Sequence, residues 1–287
     1  MTAERFSPVP GAAGLPKVAL VASDGARAEV YLHGAHVSSW RPANDGAERL
    51  FLSARSRFGP GEVIRGGVPV CFPQFAAQGP LPNHGFARVS SWDLVHARRT
   101  ATGAAQAALR LADSPATRAE WPHPFGLELT VTALGGTLEL GFTVTNTGAT
   151  LFEFTGALHT YLRVADVGRA VVRGLQNARY RDKVLGTDGV LETAPELAFD
   201  REIDRVYYTA PDDLAVQEPG RAIAVRAAGF PDTVIWNPGP ARGATLGDLE
   251  PDGYLRMLCV EAAASRAPVA VAPGARWHGS QTLTATS

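Results

Sequence analysis

LELTVTALGGTLELGFTVT, residues Leu127 to Thr145, is the stretch that decides the fold. Leu127, Leu129 and Val131 alternate with Glu128, Thr130 and Thr132. Beyond Gly135-Gly136 the alternation resumes, with Leu138, Leu140, Phe142 and Val144 set against Glu139, Gly141, Thr143 and Thr145. Successive strand side chains point to opposite faces, so period two on both arms predicts a hairpin with one buried face. The glycine pair suits the tight turn between the arms.

Similar short runs lie on either side. Upstream they cover residues 17–22, 27–32, 31–40, 48–52, 89–98 and 107–112; downstream, 152–164, 170–173, 202–209, 214–217, 222–227, 233–237, 254–262, 268–271 and 281–285. Only 115–121 and 244–249 suit short helical turns. Many short strands with turn residues between them predict an all-β sandwich or barrel. There is no repeat of fixed period, no low-complexity segment and no clear linker. The expected organisation is a flexible N-terminal arm, 1–16, followed by a single β-sandwich catalytic domain, 17–287.

Composition narrows the function classes. A 45% hydrophobic and 19% charged chain with a formal net charge of -1 is ordinary for a soluble globular protein. It speaks against nucleic acid as the main partner. No apolar run of about 18 residues predicts a membrane span, and the N-terminus has no apolar signal core. Two cysteines, Cys71 and Cys259, read as reduced thiols of a cytoplasmic protein.

The stretch Ile64 to Arg88, IRGGVPVCFPQFAAQGPLPNHGFAR, is too rich in Gly and Pro for regular structure. It nevertheless carries Cys71, Phe72, Phe75, Leu81 and Phe86 as anchors, leaving Arg65, Gln74, Gln78, Asn83, His84 and Arg88 to face outward. Two guanidiniums on a packed loop suit an anionic oxygen cluster. An Ω-type loop whose polar groups satisfy its own backbone reads equally well. Three further residues stand out. His159 shares a strand face with Tyr161, opposite Leu158 and Leu162. Glu261 closes the apolar run LRMLCVEAA, where a carboxylate is costly unless paired or used. Asp204 lies near Arg201 and Arg205, where a surface ion pair is the plain alternative. Phosphate-loop, dinucleotide and nucleophile-elbow motifs are missing, and His33 and His36 have no partners for a closed metal site.

The chain resembles the aldose 1-epimerase superfamily, and within it the D-hexose-6-phosphate mutarotases (glucose-6-phosphate 1-epimerases). The resemblance rests on RGGVPVCFPQF at Arg65, LPNHGFARVSSW at Leu81, WPHPFGLELTV at Trp121, ALHTYLRV at Ala157, GLQNARYRDKV at Gly174, EIDRVYY at Glu202, VIWNPG at Val234 and MLCVEAA at Met257. It implies a large antiparallel β-sandwich of the galactose-mutarotase type. It implies an isomerase exchanging the anomers of a hexose phosphate, with Glu261 as base and His159 as acid. Asp204 would hold sugar hydroxyls, Arg65 and Arg88 the phosphate, and His84 the sugar between them. Asn83 stands where several relatives have Gln, with Gln78 as a substitute contact. No metal or other cofactor is implied, and the expected partner is the small-molecule hexose phosphate alone, bound by a monomer. Two other classes compete: an epimerase of unphosphorylated aldoses, which would not need both arginines, and a non-catalytic sugar-phosphate-binding module. A glycosidase built on Glu261 and Asp204 is a weaker alternative.

Overall fold

A computed structural model describes residues 4–286. The expected hairpin is at its centre: Phe125–Leu134 pairs with Thr137–Asn146 along their whole length, around Gly135 at φ 59°. Leu127, Leu129, Val131, Leu138, Leu140, Phe142 and Val144 are all buried, as the alternation requires. The hairpin belongs to a nine-stranded antiparallel sheet that runs from Glu196–Ala198 at one edge to Asp93–Arg99 at the other.

A second antiparallel sheet, of eight strands, packs against the first. Its order is Thr187–Leu191, Arg179–Asp182, Ile203–Tyr207, Asp232–Asn237, Met257–Val271, Phe152–Leu158 and Val70–Cys71, with Tyr161–Arg163 also paired to Met257–Val271. A four-stranded sheet, Val9–Pro10 to Val37–Arg41, completes the all-β sandwich. The faces of the eight-stranded sheet differ. Leu158, Leu162, Leu258, Val260 and Ala262 point into the core shared with the hairpin. Ala157, Tyr161, Cys259 and Ala263 point the other way, and the cavity lies on that side. Phe72 is the hub of the shared core, with the rings of Phe86, Trp121, Phe125, Phe142 and Phe154 all within 6.4 Å.

Several expected elements are redrawn. Residues 257–262 and 268–271 join in one strand, Met257–Val271, preceded by a 3-10 turn at Gly253–Arg256, while 152–164 is interrupted at His159 and Thr160. Residues 48–52 make only isolated bridges, Leu50 to Leu162 and Leu52 to Gly66. Residues 244–249 are not helical. The short helix precedes them at Gly239–Gly243, where the Asn237 side chain accepts from the Gly239 N–H at 2.8 Å and Pro240 suits the first turn. Of the expected arm, residues 1–3 lie outside the described residues. The rest is docked: the Phe6 N–H donates to the Ala97 carbonyl at 3.0 Å, and Val9 and Pro10 pair with Lys17 and Pro16. No helix among the described residues is long and apolar enough to cross a membrane.

Candidate active site

One register row of the eight-stranded sheet lays out the floor. Asp204 faces Trp236, Trp236 faces Cys259, and Cys259 faces Tyr161. Period two then places Glu261 on the same face, opposite Val234. His159 arrives by the interruption between Phe152–Leu158 and Tyr161–Arg163. Its N–H donates to the Pro69 carbonyl at 3.0 Å, while the Thr160 carbonyl accepts from Val260 at 3.0 Å. The Thr160 hydroxyl turns to the opposite layer and donates to buried Gln281, whose amide donates to the Val260 carbonyl at 2.9 Å. With Thr160 anchored behind the sheet, His159 faces the cavity. Its ring stacks on Tyr161 at 4.8 Å and 8°, and Trp236 and His84 meet it edge-on at 6.0 and 5.2 Å.

The two residues on which the sequence reading turned meet there. His159 Nδ1 lies 3.3 Å from Glu261 Oε1, with His159 7% and Glu261 2% exposed. His159 Nδ1 and Glu261 Oε2 have no hydrogen-bond partner. Unpartnered buried polar atoms are rare in folded proteins and call for an explanation; two in the wall of one cavity point to a ligand. Burial moves both groups toward neutrality. It pushes the Glu261 carboxyl well above its ordinary range, with Asp204 adding to the rise and Lys183 opposing it. It drives the His159 imidazole well below its own, helped by His84, Arg88 and Arg65. Both shifts favour the uncharged forms, in which the carboxyl proton is the one the pair can exchange.

His84 is placed by the loop. It adopts φ 67°, unusual for a side-chain-bearing residue, and is followed by Gly85 at φ 68°, where a Cβ would lie 2.3 Å from the Phe72 carbonyl oxygen. His84 Nδ1 faces the Ala76 N–H at 3.2 Å and the Cys71 thiol at 3.1 Å. A backbone N–H can only donate, so Nδ1 is the acceptor and the proton of the neutral ring sits on Nε2. Burial, then Arg88, Lys183 and Arg65, lower its pKa to about 3, which keeps the ring neutral. His84 is therefore a fixed neutral donor in the cavity wall. Gln74, expected to face outward, is buried and clamps the loop: its amide donates to the Ala76 and Leu81 carbonyls, and its oxygen accepts from the Leu81 N–H at 3.0 Å.

The cavity holds about 340 Å³ and is lined by Arg65, Asn83, His84, His159, Asp204 and Glu261, by Phe75, expected only as a loop anchor, and by Lys183, Glu202, Trp236 and Arg242, which the sequence reading did not single out. Arg88 is not among the lining residues; its guanidinium donates to the Asn83 carbonyl at 2.5 Å. Arg65 lines the cavity but is held from behind by Asp248 at 3.0 Å and donates to the Tyr161 hydroxyl at 3.0 Å. Asp204 pairs with Lys183 at 3.2 Å rather than with Arg201 or Arg205; Arg205 is buried against Asp182 and Glu192. Lys183 is brought there by strand pairing that no local pattern shows, its N–H donating to the Asp204 carbonyl at 2.8 Å. Arg242, on the short helix at the rim, carries no periodic signal. His159, Cys259 and Glu261 also offer three ligand atoms within 4.8 Å of one another, a set that could hold a metal ion.

A polar, sugar-sized hollow on a sheet face, floored by an adjoining imidazole and carboxyl and edged by cations, defines a carbohydrate-directed acid–base enzyme. The aldose 1-epimerase profile matches residues 16–284, and the chain belongs to that family. A Cenchrus ciliaris protein named "Putative glucose-6-phosphate 1-epimerase" is 37% identical over 282 residues, 95% of this chain and 85% of that protein. An Escherichia coli K12 protein of the same name is 39% identical over 272 residues, 91% of this chain and 88% of the other. A crystal structure titled as a putative mutarotase from Salmonella typhimurium superposes with a TM-score of 0.89 at 33% identity, covering 99% of this chain and 94% of that one. The fold is the sandwich of the galactose-mutarotase type, and the protein is an isomerase of the epimerase class.

Proposed function

We propose that the protein interconverts the α and β anomers of a hexose 6-phosphate, with glucose 6-phosphate the first candidate. The observation that carries the reading is the 3.3 Å contact of His159 with Glu261 on the floor of a cavity edged by Arg65, Lys183 and Arg242. The names of the relatives support it.

Anomer exchange needs one group to accept the proton of the anomeric hydroxyl and one to protonate the ring oxygen. In the uncharged pair that burial favours, the carboxyl carries one exchangeable proton beside the ring's own N–H. Passing it from Glu261 to His159 gives a carboxylate and an imidazolium, the base and the acid, with no change in total charge. Glu261 then takes the hydroxyl proton as His159 delivers one to the ring oxygen, and the C1–O5 bond opens to the aldehyde. Rotation about C1–C2 presents the other face, and the same two transfers in reverse close the ring. His84 donates to a sugar oxygen, and Asp204 and Lys183, as a pair, receive hydroxyls. The phosphate lies toward the cationic rim, with Asn83 beside it. Arg65 contributes one guanidinium. Arg88 acts from behind Asn83 rather than by facing the cavity. The same reading takes the protein to be a monomer without a cofactor and, from its two free buried cysteines, cytoplasmic.

A second reading, an epimerase of unphosphorylated aldoses, is favoured by the engagement of Arg65 with Asp248 and of Arg88 with Asn83. Anomer exchange of glucose 6-phosphate, glucose and galactose, measured by exchange NMR on the wild-type protein, separates the two. The proposal requires kcat/KM to be greatest for the phosphorylated sugar. Equal values for glucose and glucose 6-phosphate would replace it with the second reading, and no exchange of any of them would leave a binding module.

A further inference from the structure

The row that carries Glu261 also carries a thiol that the anomer-exchange reading leaves unused. Cys259 is two residues before Glu261 on the same strand face and is fully buried beneath the cavity floor. No hydrogen bond holds its sulfur among the described residues, and it is a free cysteine. Its Sγ, a ring nitrogen of His159 and a carboxylate oxygen of Glu261 all lie within 4.8 Å of one another. Two of the three groups carry unpartnered atoms: Nδ1 of His159 and Oε2 of Glu261. The cavity gives solvent access to His159 and Glu261.

We propose that His159, Cys259 and Glu261 form an inhibitory binding site for a divalent cation of the zinc type. Thiolate, imidazole and carboxylate together select a borderline-soft ion over magnesium or calcium, which prefer oxygen alone. Three protein ligands with the fourth position open toward the cavity is an arrangement zinc accepts readily. Charge also favours it. On binding, the thiol and the carboxyl each release a proton to solvent, and the resulting thiolate and carboxylate offset the two positive charges of the ion, with the imidazole neutral. A buried site of zero net charge avoids the penalty that an uncompensated ion would incur. Ligand atoms about 2.0–2.3 Å from a tetrahedral zinc are about 3.6 Å apart; the 3.3 Å His159–Glu261 edge already suits that, and the sulfur has to settle inward. An ion there occupies the atoms that carry the exchanging proton, so it stops the reaction.

The consequence for activity rests on the anomer-exchange reading; binding itself does not. Titration of the full-length protein with cobalt(II) should give a thiolate-to-cobalt charge-transfer absorption, displaced by zinc. The band should persist in Cys71→Ala and be lost in Cys259→Ala. Zinc should inhibit anomer exchange by the wild type, with reversal by a chelator. Measured against its own metal-free exchange rate, Cys259→Ala should lose zinc sensitivity by at least about tenfold, the low end for loss of even an outer-sphere partner. If Cys259→Ala fails to fold, Glu261→Gln serves for the binding measurement and should weaken cobalt binding by a similar factor. Absence of the band from wild type, its survival in Cys259→Ala, or acceleration by zinc would overturn the site. A band of the expected kind without any anomer exchange would leave the site standing and remove the catalytic reading instead.

Discussion

Replacing Glu261 with glutamine tests the acid–base pair without disturbing its surroundings. The substitution keeps the shape and exchanges one oxygen for an NH₂. Glu261 is 2% exposed, and burial favours its protonated form. A neutral carboxyl therefore gives way to a neutral amide, and Oε2 has no hydrogen bond to lose. The unfolding free energy should change by less than about 1 kcal/mol, the scale of one ordinary hydrogen bond. Activity should respond very differently. An amide cannot take the anomeric proton, and a general base typically supplies ~10²–10⁴ in rate, or about 3–5 kcal/mol of activation free energy. Both quantities can be read on one preparation, by two-dimensional exchange NMR between the anomeric protons of glucose 6-phosphate at equilibrium, corrected for uncatalysed exchange, and by urea unfolding. An exchange rate within a factor of a few of wild type would refute the assignment of Glu261 as base. So would a loss of stability as large as the loss of activation free energy, which would make the residue structural.

Gln281→Leu should leave the Thr160 hydroxyl and the Val260 carbonyl buried without their side-chain partner, costing about 1–3 kcal/mol in urea unfolding; it should also slow exchange, because Thr160 fixes the direction of its neighbour His159. Gly85→Ala forces a side chain onto a backbone at φ 68° with the Phe72 carbonyl oxygen 2.3 Å from the new Cβ. The unfolding midpoint should fall and, with His84 displaced, KM should rise; an unchanged KM would remove His84 from the binding surface. Acid should destabilise the fold through its neutral histidines. Burial holds His36, and likewise His84, at about 3 against 6.5 when unfolded. Each lowered folded pKa contributes stability that is complete above 6.5 and lost as pH falls toward 3, whereas the raised pKa of Glu261 acts in the opposite sense as pH rises above 4.5. His36→Asn should therefore flatten the fall in unfolding free energy between these limits by up to about 1.4 kcal/mol per pH unit; an unchanged slope would mean His36 is already protonated in the folded protein.

The strands legible in the sequence are those with one buried and one open face. Leu127 to Val144 shows this, because its period of two reports the contrast between core and outside. Arg179–Asp182, Thr187–Leu191 and Glu196–Ala198 were not seen: RYRD, TDGVL and ELA are short segments at or next to a sheet edge whose pairing is by backbone, and they carry almost no apolar alternation. In the site, the opposition of His159 and Tyr161 to Leu158 and Leu162 was readable from parity alone, and so was the burial of Glu261 in an apolar run. That these two meet depends on the pairing of Tyr161 with Cys259, a contact across almost a hundred residues. No local pattern encodes it; here the family resemblance supplied what periodicity could not. Arg242 and Lys183 were missed for a related reason: a cation at a rim is indistinguishable, residue by residue, from any surface cation.

The position of Arg88 follows from the same electrostatics that make the site work. Its guanidinium is turned onto the Asn83 carbonyl and not into the cavity, yet its positive charge reaches three imidazoles, lowering the pKa of His36, His84 and His159. At His84 this reinforces the neutral ring whose tautomer the Ala76 N–H sets, so that a donor rather than a second titrating acid faces the cavity. At His159 it resists uptake of a proton from solvent, while a proton passed from Glu261 leaves a carboxylate 3.3 Å away to balance the new charge. A pair that must run in both directions works best when neither member captures a second proton nor loses the one they share. A cation placed behind the wall imposes the first half of that condition, and burial of the carboxyl imposes the second.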